Sequence, residues 1–208
     1  HTMAELLATD MYLHDTATRA KNLTGFDRWY DDGNTYSSVG GIDRADIHPL
    51  GQVGGLNAFT QNVGTSFTMR DLNRAYGFAT WGSDHPDLIA VTQNAYNLIW
   101  EANAPFKRYV NSEGDLVEAG FQSFRFNAAD VAVCQYLSDA FESGTPTIFG
   151  INTDYVEWYF SDHPLYRFGF TGFKPSPNTL DVSGQFVVAS NIVVPNPRTG
   201  FKLRSTLF

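Results

Sequence analysis

The feature that most constrains the fold is a change in hydrophobic periodicity along the chain. In the middle of the chain, apolar residues recur at helical spacing, whereas after Gly114 they recur at every second position. Two predicted helices, 69–81 and 93–103, flank a short apolar strand at 87–91. The capping box Thr68–Asp71 marks the start of the first helix, and Thr92 is expected to cap the second. This helix–strand–helix order predicts a mixed α+β fold.

The second half of the chain is predicted to be rich in strands. Phe124 and Phe126 share one face of a strand, and Val131 and Val133 continue the alternation. Further strands are predicted from Tyr155 to Phe160, from Leu165 through Phe170, and in the segment 184–204, where Asn196–Gly200 forms a turn before Phe201. These strands supply a sheet on which the two helices can pack.

The first third of the chain gives weaker signals. A helix is predicted from Ala4 to Lys21, and His1-Thr2-Met3 is interpreted as the remainder of a cleaved tag. The segment 22–64 is rich in Gly, Asp and Asn but also carries large apolar side chains such as Trp29 and Tyr30. Because such side chains are uncommon in disordered segments, we expect ordered loops and short strands there.

Composition narrows the function classes. The chain has 208 residues, which is long enough to bury most of its apolar surface without a disulfide. Cys134 is its only cysteine, so the chain can form neither an intrachain disulfide nor a cysteine-based zinc knuckle. No run of about 20 apolar residues is present, so we expect no membrane span. A net charge of −8 argues against a nucleic-acid-binding protein, which needs cations to displace counterions.

The aromatic content is 15%. A large packed core explains this content most simply, because Phe, Tyr and Trp bury more area than other side chains. Surface that is buried against other copies of the chain is the alternative, because aromatic residues are enriched at the centres of interfaces. Composition favours the core.

The tetrapeptide SDHP occurs twice and places a carboxylate beside an imidazole each time. Its copies contain Asp84 and His85, and Asp162 and His163. A shared metal or catalytic site would need all four side chains to converge, with His14 or His48 as possible further ligands. These spacings match no metal motif. Both copies also lie where the chain needs a break, so turn and cap chemistry is the preferred interpretation, and a metal-dependent enzyme is the alternative.

Other catalytic signals are weak. The chain has no G-x-S-x-G, no Walker A sequence and no glycine-rich dinucleotide motif. Cys134 follows the apolar run Val131-Ala132-Val133 and is expected to be a buried structural thiol. We therefore predict no catalytic, cofactor-binding or metal-binding residue, and no cofactor.

Several segments, taken in order, resemble the major capsid proteins of tailed bacteriophages. The first is LTGFDRWYDDGNTYSSVGGIDR, from Leu23 to Arg44. The later ones are TMRDLNRAYGFAT, HPDLIAVTQNAYNLIWEA, GFQSFRFNAADVAV, TPTIFGINTDYVEWYF and GQFVVASNIVVPNPRTGFKLR. Each is a weak signal alone, but they occur in the family's order, and the resemblance extends over essentially the whole chain after residue 3.

The resemblance implies the Hong Kong 97-type capsid fold. It implies a peripheral-type subdomain from residues 4–45 with 150–208, and an axial-type subdomain from residues 46–149. Family members usually carry a longer N-terminal part that holds an arm, an extended loop and most of a spine helix. The resemblance therefore implies that this chain is N-terminally truncated and lacks that N-terminal arm and the extended loop.

The implied function is that of a structural shell subunit, without catalysis. Its partners would be other copies of itself, which form pentamers and hexamers in the full-length protein, and packaged double-stranded DNA would be contacted only non-specifically. No membrane partner is implied, and the implied location is the virion capsid, assembled in the host cytoplasm. A compartment shell similar to the encapsulins has the same fold and is the alternative.

Some members of the family cross-link neighbouring subunits through a lysine and an asparagine. Nothing in the local sequence identifies such a pair here. Lys21, Lys107, Lys174 and Lys202 are expected to be solvated surface charges.

Overall fold

The computed structural model of the chain describes residues 3–13, 23–64, 67–103, 124–137, 147–163, 166–167, 169–175 and 182–204. Its α-helices are α1 (Met3–Leu13), α2 (Phe26–Trp29), α3 (Met69–Ala79) and α4 (Gln93–Asn103). Its strands are β1 (Ser38–Val39), β2 (Ile42–Asp43), β3 (Phe59–Asn62), β4 (Leu88–Val91), β5 (Phe124–Phe126), β6 (Ala129–Val133), β7 (Thr147–Ile151), β8 (Glu157–Phe160), β9 (Gly169–Phe170), β10 (Lys174–Pro175), β11 (Val182–Ser183), β12 (Phe186–Val187), β13 (Ser190–Val193) and β14 (Phe201–Arg204). Short 3₁₀ turns lie at Arg44–Asp46, Thr153–Tyr155 and Pro197–Thr199. The predicted α+β class is confirmed.

A mixed sheet of six strands forms the centre of the described fold. Its order is β3-β14-β7-β4-β6-β5. The pairs β3–β14 and β4–β6 are parallel, whereas β14–β7, β7–β4 and β6–β5 are antiparallel. The C-terminal strand β14 therefore lies between two strands that come from earlier, separate parts of the chain. The division into peripheral-type and axial-type subdomains stays a prediction.

Helices cover both faces of this sheet. On one face, α3 and α4 bury Leu72, Ala75 and Ile99 against side chains of β4 and β14, which include Ile89 and Phe201. On the opposite face, aromatic side chains of α1 and α2 pack on Ala90 and Phe149. Successive side chains along a strand point to opposite faces of the sheet. Since helices cover both faces, the side chains on both faces of the central strands are buried.

The two central helices form where they were predicted. The amide of Thr68 donates to Asp71 Oδ2 at 3.0 Å, so the capping box is present, and α3 ends at Ala79 rather than at residue 81. The hydroxyl of Thr92 accepts from the amide of Ala95 at 3.3 Å, which caps α4 as expected. Strands β4, β5 and β6 and the turn before Phe201 are also confirmed.

The segment 23–64 is ordered, as expected, and contains a tight hairpin. Strands β1 and β2 pair antiparallel and are joined by Gly40 and Gly41, whose φ angles are 58° and 81°. Positive φ at both positions is the requirement of the turn type that suits a two-residue hairpin, and glycine meets it without strain. The predicted first helix is observed as α1 up to Leu13. Residues 14–22 of that prediction lie outside the described residues.

Two predicted strands are wrong in part. The strand expected from Leu165 is interrupted, because the amides of Tyr166 and Arg167 both donate to the carbonyl of His163, at 2.9 and 3.1 Å, and make a helical turn. The strand expected from Tyr155 begins only at Glu157. The reason is the 3₁₀ turn before it, in which Asn152 Oδ1 accepts from the amide of Asp154 at 3.1 Å.

Among the described residues, no helix is long and apolar enough to cross a membrane.

Candidate assembly surface

The first SDHP copy forms a turn after α3. Trp81 and Asp84 make an isolated antiparallel bridge, and Asp84 Oδ2 accepts from the hydroxyl of Tyr155 at 2.7 Å. This hydrogen bond and the charge of Asp84 raise the pKa of Tyr155. His85 Nδ1 lies 3.1 Å from the carbonyl of Pro86, and its ring packs near the ring of Tyr76. The predicted turn chemistry is confirmed for this copy.

The second SDHP copy caps a different turn. His163 supplies the carbonyl that starts the helical turn at Tyr166, and the two rings lie 4.8 Å apart. Its amide donates to Ser161 Oγ at 3.3 Å. Within the described part of the chain, no three His, Cys, Asp or Glu side chains form a group that could hold a metal ion. Of the further ligands considered, His14 lies outside the described residues, and His48 packs against Gly54.

A surface with more distinctive geometry is a two-stranded ribbon, which we call the arm (described residues 157–163, 166–167, 169–175 and 182–193) and which is distinct from the N-terminal arm named above. Its outward run is β8, β9 and β10, and its return run is β11, β12 and β13. The pairs β8–β13, β9–β12 and β10–β11 are all antiparallel and nested within one another. The chain thus runs out along one strand line and returns along the other.

The arm exposes aromatic side chains over most of its length. Among its described residues, Ile192 alone is fully buried. Phe173 is 75% exposed, Phe186 71% and Tyr159 56%. Exposed aromatic clusters of this kind are unusual on monomeric proteins and mark interaction surfaces. A ribbon of two strands is also only marginally stable without something packed on it.

The base of the arm is tied to the N-terminal segment. The indole Nε1 of Trp29 donates to the carbonyl of Ile192 at 3.0 Å, and the amide of Thr24 donates to Asn191 Oδ1 at 2.9 Å. Ile192 is buried in the same apolar cluster as Trp29 and Phe149. These contacts fix where the arm leaves the domain, so its exposed aromatic side chains are presented from a rigid base.

A buried charge network lies below that base, and it corrects one prediction. Lys202 is not a solvated surface charge, because its side chain is 0% exposed. Its Nζ donates to Asp27 Oδ1 at 3.0 Å, to the Asp27 carbonyl at 2.9 Å and to Asp31 Oδ1 at 3.2 Å. All three ammonium protons are therefore used. Lys174 is exposed, as predicted, while Lys21 and Lys107 lie outside the described residues.

The two aspartates of this network are held by further donors. Arg204 Nη2 donates to Asp27 Oδ1 at 2.6 Å. Asp31 Oδ2 accepts from the amides of Gly33, Thr35 and Tyr36 at 3.0 to 3.2 Å and so shapes the loop that follows it. Burial alone would raise the pKa of Asp27, but the charges and hydrogen bonds of Lys202 and Arg204 outweigh burial and lower that pKa. The network ties β14 to α2.

Cys134 is the second correction. It is partly exposed rather than buried, and it lines a cavity of 310 Å³ together with Tyr12 and Tyr136. The apolar run before Cys134 indicated a buried position, but this run does not stay buried to its end. Val133 points outward at the end of β6 and is itself 39% exposed.

The aromatic positions of the arm are visible in the sequence, but its pairing is not. The signal that could have found it is the density of Trp, Tyr and Phe in segment 157–186, where the consecutive residues Trp158, Tyr159 and Phe160 place aromatic side chains on both faces of a strand. A strand that is buried on one face alternates apolar with polar residues instead.

No protein-family model matches the chain. No curated protein is significantly similar to it.

Proposed function

We propose that this chain is a structural shell subunit that acts by self-assembly and has the Hong Kong 97-type capsid fold. The observation that carries the proposal is the arm, whose exposed aromatic side chains extend from a rigid base. Such a surface is suited to burial against neighbouring copies, because aromatic residues supply most of the binding energy at the centres of interfaces.

The net charge of the chain is compatible with a shell that encloses DNA. A net charge of −8 disfavours tight binding to DNA, so a shell of this protein can enclose DNA through non-specific contacts alone. The partners in this proposal are other copies of the same chain, arranged in rings of five or six that close into an icosahedral shell. The site of action is then the virion capsid, assembled in the host cytoplasm.

Electron microscopy of the product of the complete open reading frame tests this function. Closed shells are expected, and nuclease-protected DNA inside them would separate a viral capsid from a compartment that encloses enzymes. A product that stays monomeric under all assembly conditions would overturn the proposal. Stoichiometric metal in the purified protein, lost on replacement of His85 and His163 by Ala, would instead support the metal-dependent enzyme.

A further inference from the structure

A groove of 440 Å³ lies between β3, α3 and the loop at residues 51–53. One wall is aromatic: the rings of Phe59 and Phe78 stack with centroids 4.8 Å apart and 7° between their planes. Phe59 is buried, while Phe78 remains 48% exposed. Asp32 and Arg198 add one charge of each sign to the lining. We call this feature the Phe78 groove, and its volume lies in the range of about 300–1,000 Å³ that is typical of binding pockets.

Arg198 holds an unmet hydrogen-bond donor at the groove. Its guanidinium carbon lies 3.5 Å above the ring centroid of Trp81, so the cation is stacked on that ring. Its Nε is buried and has no hydrogen-bond partner. Because a buried donor without an acceptor is destabilising, Arg198 is held at this wall of the groove by its stacking on Trp81 rather than by a hydrogen bond from Nε.

The tip of the arm (described residues 169–175 and 182–187) carries the complementary groups. The ring of Phe170 lies 5.1 Å from that of Phe173 and 4.8 Å from that of Phe186, so the three form one cluster. Phe173 and Phe186 are the most exposed of the three, and the neighbouring Lys174 is also exposed. The tip thus presents apolar rings beside a cation, on a ribbon with backbone carbonyls along its edges.

We propose that the tip of the arm docks into the Phe78 groove of a second copy of this chain, an inference that rests on the proposed shell function. The exposed phenyl rings pack against Phe78, and Lys174 meets Asp32. None of the groove-lining residues belongs to the arm. The two complementary surfaces are therefore on separate parts of one chain.

This arrangement makes the contact head-to-tail. Each copy offers one tip and one groove, so every copy can both give and receive. Heterologous contacts of this kind close into rings when the rotation between copies allows it, and otherwise continue as filaments. A contact in which two tips pair with each other would stop at a dimer.

The test mixes two variants of the chain. The tip variant carries Phe173→Ser and Phe186→Ser, and the groove variant carries Gln52→Trp, which adds bulk at an exposed lining position. Each variant alone is expected to have a self-association constant weakened at least about tenfold, as is usual when a central aromatic contact is lost. Equimolar mixing is expected to restore association, but only to a one-to-one dimer. Leu6→Ser, an exposed apolar position on α1, is the matched control and should associate as the wild-type chain does.

Sedimentation velocity across a concentration series separates the outcomes. If the wild-type chain associates but the mixture stays monomeric, docking in the Phe78 groove is wrong while self-assembly through another surface stands. If the groove variant associates like the wild type, the tips pair elsewhere and the inference fails. If the wild-type chain never associates, both the inference and the proposed function fail.

A cross-linking experiment guards against variants that fold poorly. In a Cys134→Ser background, chains carrying Phe173→Cys are mixed with chains carrying Gln52→Cys and oxidised gently. Disulfide-linked heterodimers are expected, and the pairing of Leu6→Cys with Gln52→Cys should give none above background. Equal yields from the two pairings would overturn the inference.

Discussion

At the scale of single residues, the main finding is that a lysine near the C-terminus is fully buried. Lys202 lies on the sheet face that α1 and α2 cover, and its ammonium group satisfies Asp27 and Asp31 together. A buried ion pair is a weak contributor to stability when it is intact, but removing one partner leaves an uncompensated buried charge. The network should therefore affect stability most when one of its charged partners is removed.

Replacing Lys202 by Met should destabilise the chain by about 3–5 kcal/mol, because Asp27 and Asp31 would stay buried without their shared cation. The matched control is Lys174→Met, which changes an exposed lysine and should alter stability by no more than about 0.5 kcal/mol. Urea unfolding at low protein concentration measures the change in the free energy of unfolding for each of the two variants. Equal effects of the two changes would contradict the role assigned to the network.

The lowered pKa of Asp27 makes stability depend on pH. A carboxyl whose folded pKa lies below its unfolded value, about 3.9, binds fewer protons when folded. Its contribution is therefore fully present well above that value and is lost as pH falls through the folded pKa. We expect the free energy of unfolding to fall on acidification below about pH 4, and to fall less in Asp27→Asn. The free energy of unfolding is measured as a function of pH for the wild-type chain and for Asp27→Asn. If it falls equally steeply with acidification in the two proteins, the pH dependence does not come from Asp27.

At the scale of elements, two glycines that look alike in the sequence have opposite environments. A Cβ added to Gly77, in the last turn of α3, would meet nothing within 4 Å, whereas one added to Gly150 in β7 would lie 2.1 Å from the buried ring of Phe201. The first position has room on a helix surface, and the second is occupied by a core side chain.

Gly77→Ala should therefore stabilise the chain by about 0.5–1 kcal/mol, because alanine restricts the unfolded chain and favours the helix. Gly150→Ala should destabilise it by about 1–3 kcal/mol through overpacking against Phe201. Thermal unfolding of the two single variants should move in opposite directions. A stabilised Gly150→Ala protein would mean that β7 and β14 are less closely packed than described.

At the scale of the whole molecule, the net charge and the exposed apolar surface have opposite effects on association between copies. Copies that carry a net charge of −8 repel one another, while the aromatic arm favours association. Raising ionic strength from about 0.01 to 0.15 M shortens the screening length from about 30 to 8 Å and reduces the repulsion. We expect self-association to strengthen over this range, and to strengthen further in sulfate, which favours apolar burial. Light scattering at constant protein concentration checks this, and association that weakens with salt would show that attraction between charges dominates.

Some of this architecture was predictable because its signals are local. The capping box at Thr68 and the apolar spacing after it lie within one helix length of each other, as do Thr92 and the helix that it caps. Their hydrogen bonds form within a few residues, so the amino-acid pattern alone indicates them. The turn role of the first SDHP copy was predictable for the same reason.

The amino-acid sequence by itself determined α3, α4 and the strands β4, β5 and β6, since periodicity and capping act over a few residues. Only the tertiary structure decided that β14 lies between β3 and β7 and that both faces of the sheet are covered. That cover is why Lys202, which reads as a solvated lysine in an alternating strand, is buried. The tertiary structure also decided which distant strands pair to form the arm. Strand pairing and burial depend on contacts between segments far apart in the chain, and no local pattern records which segments meet.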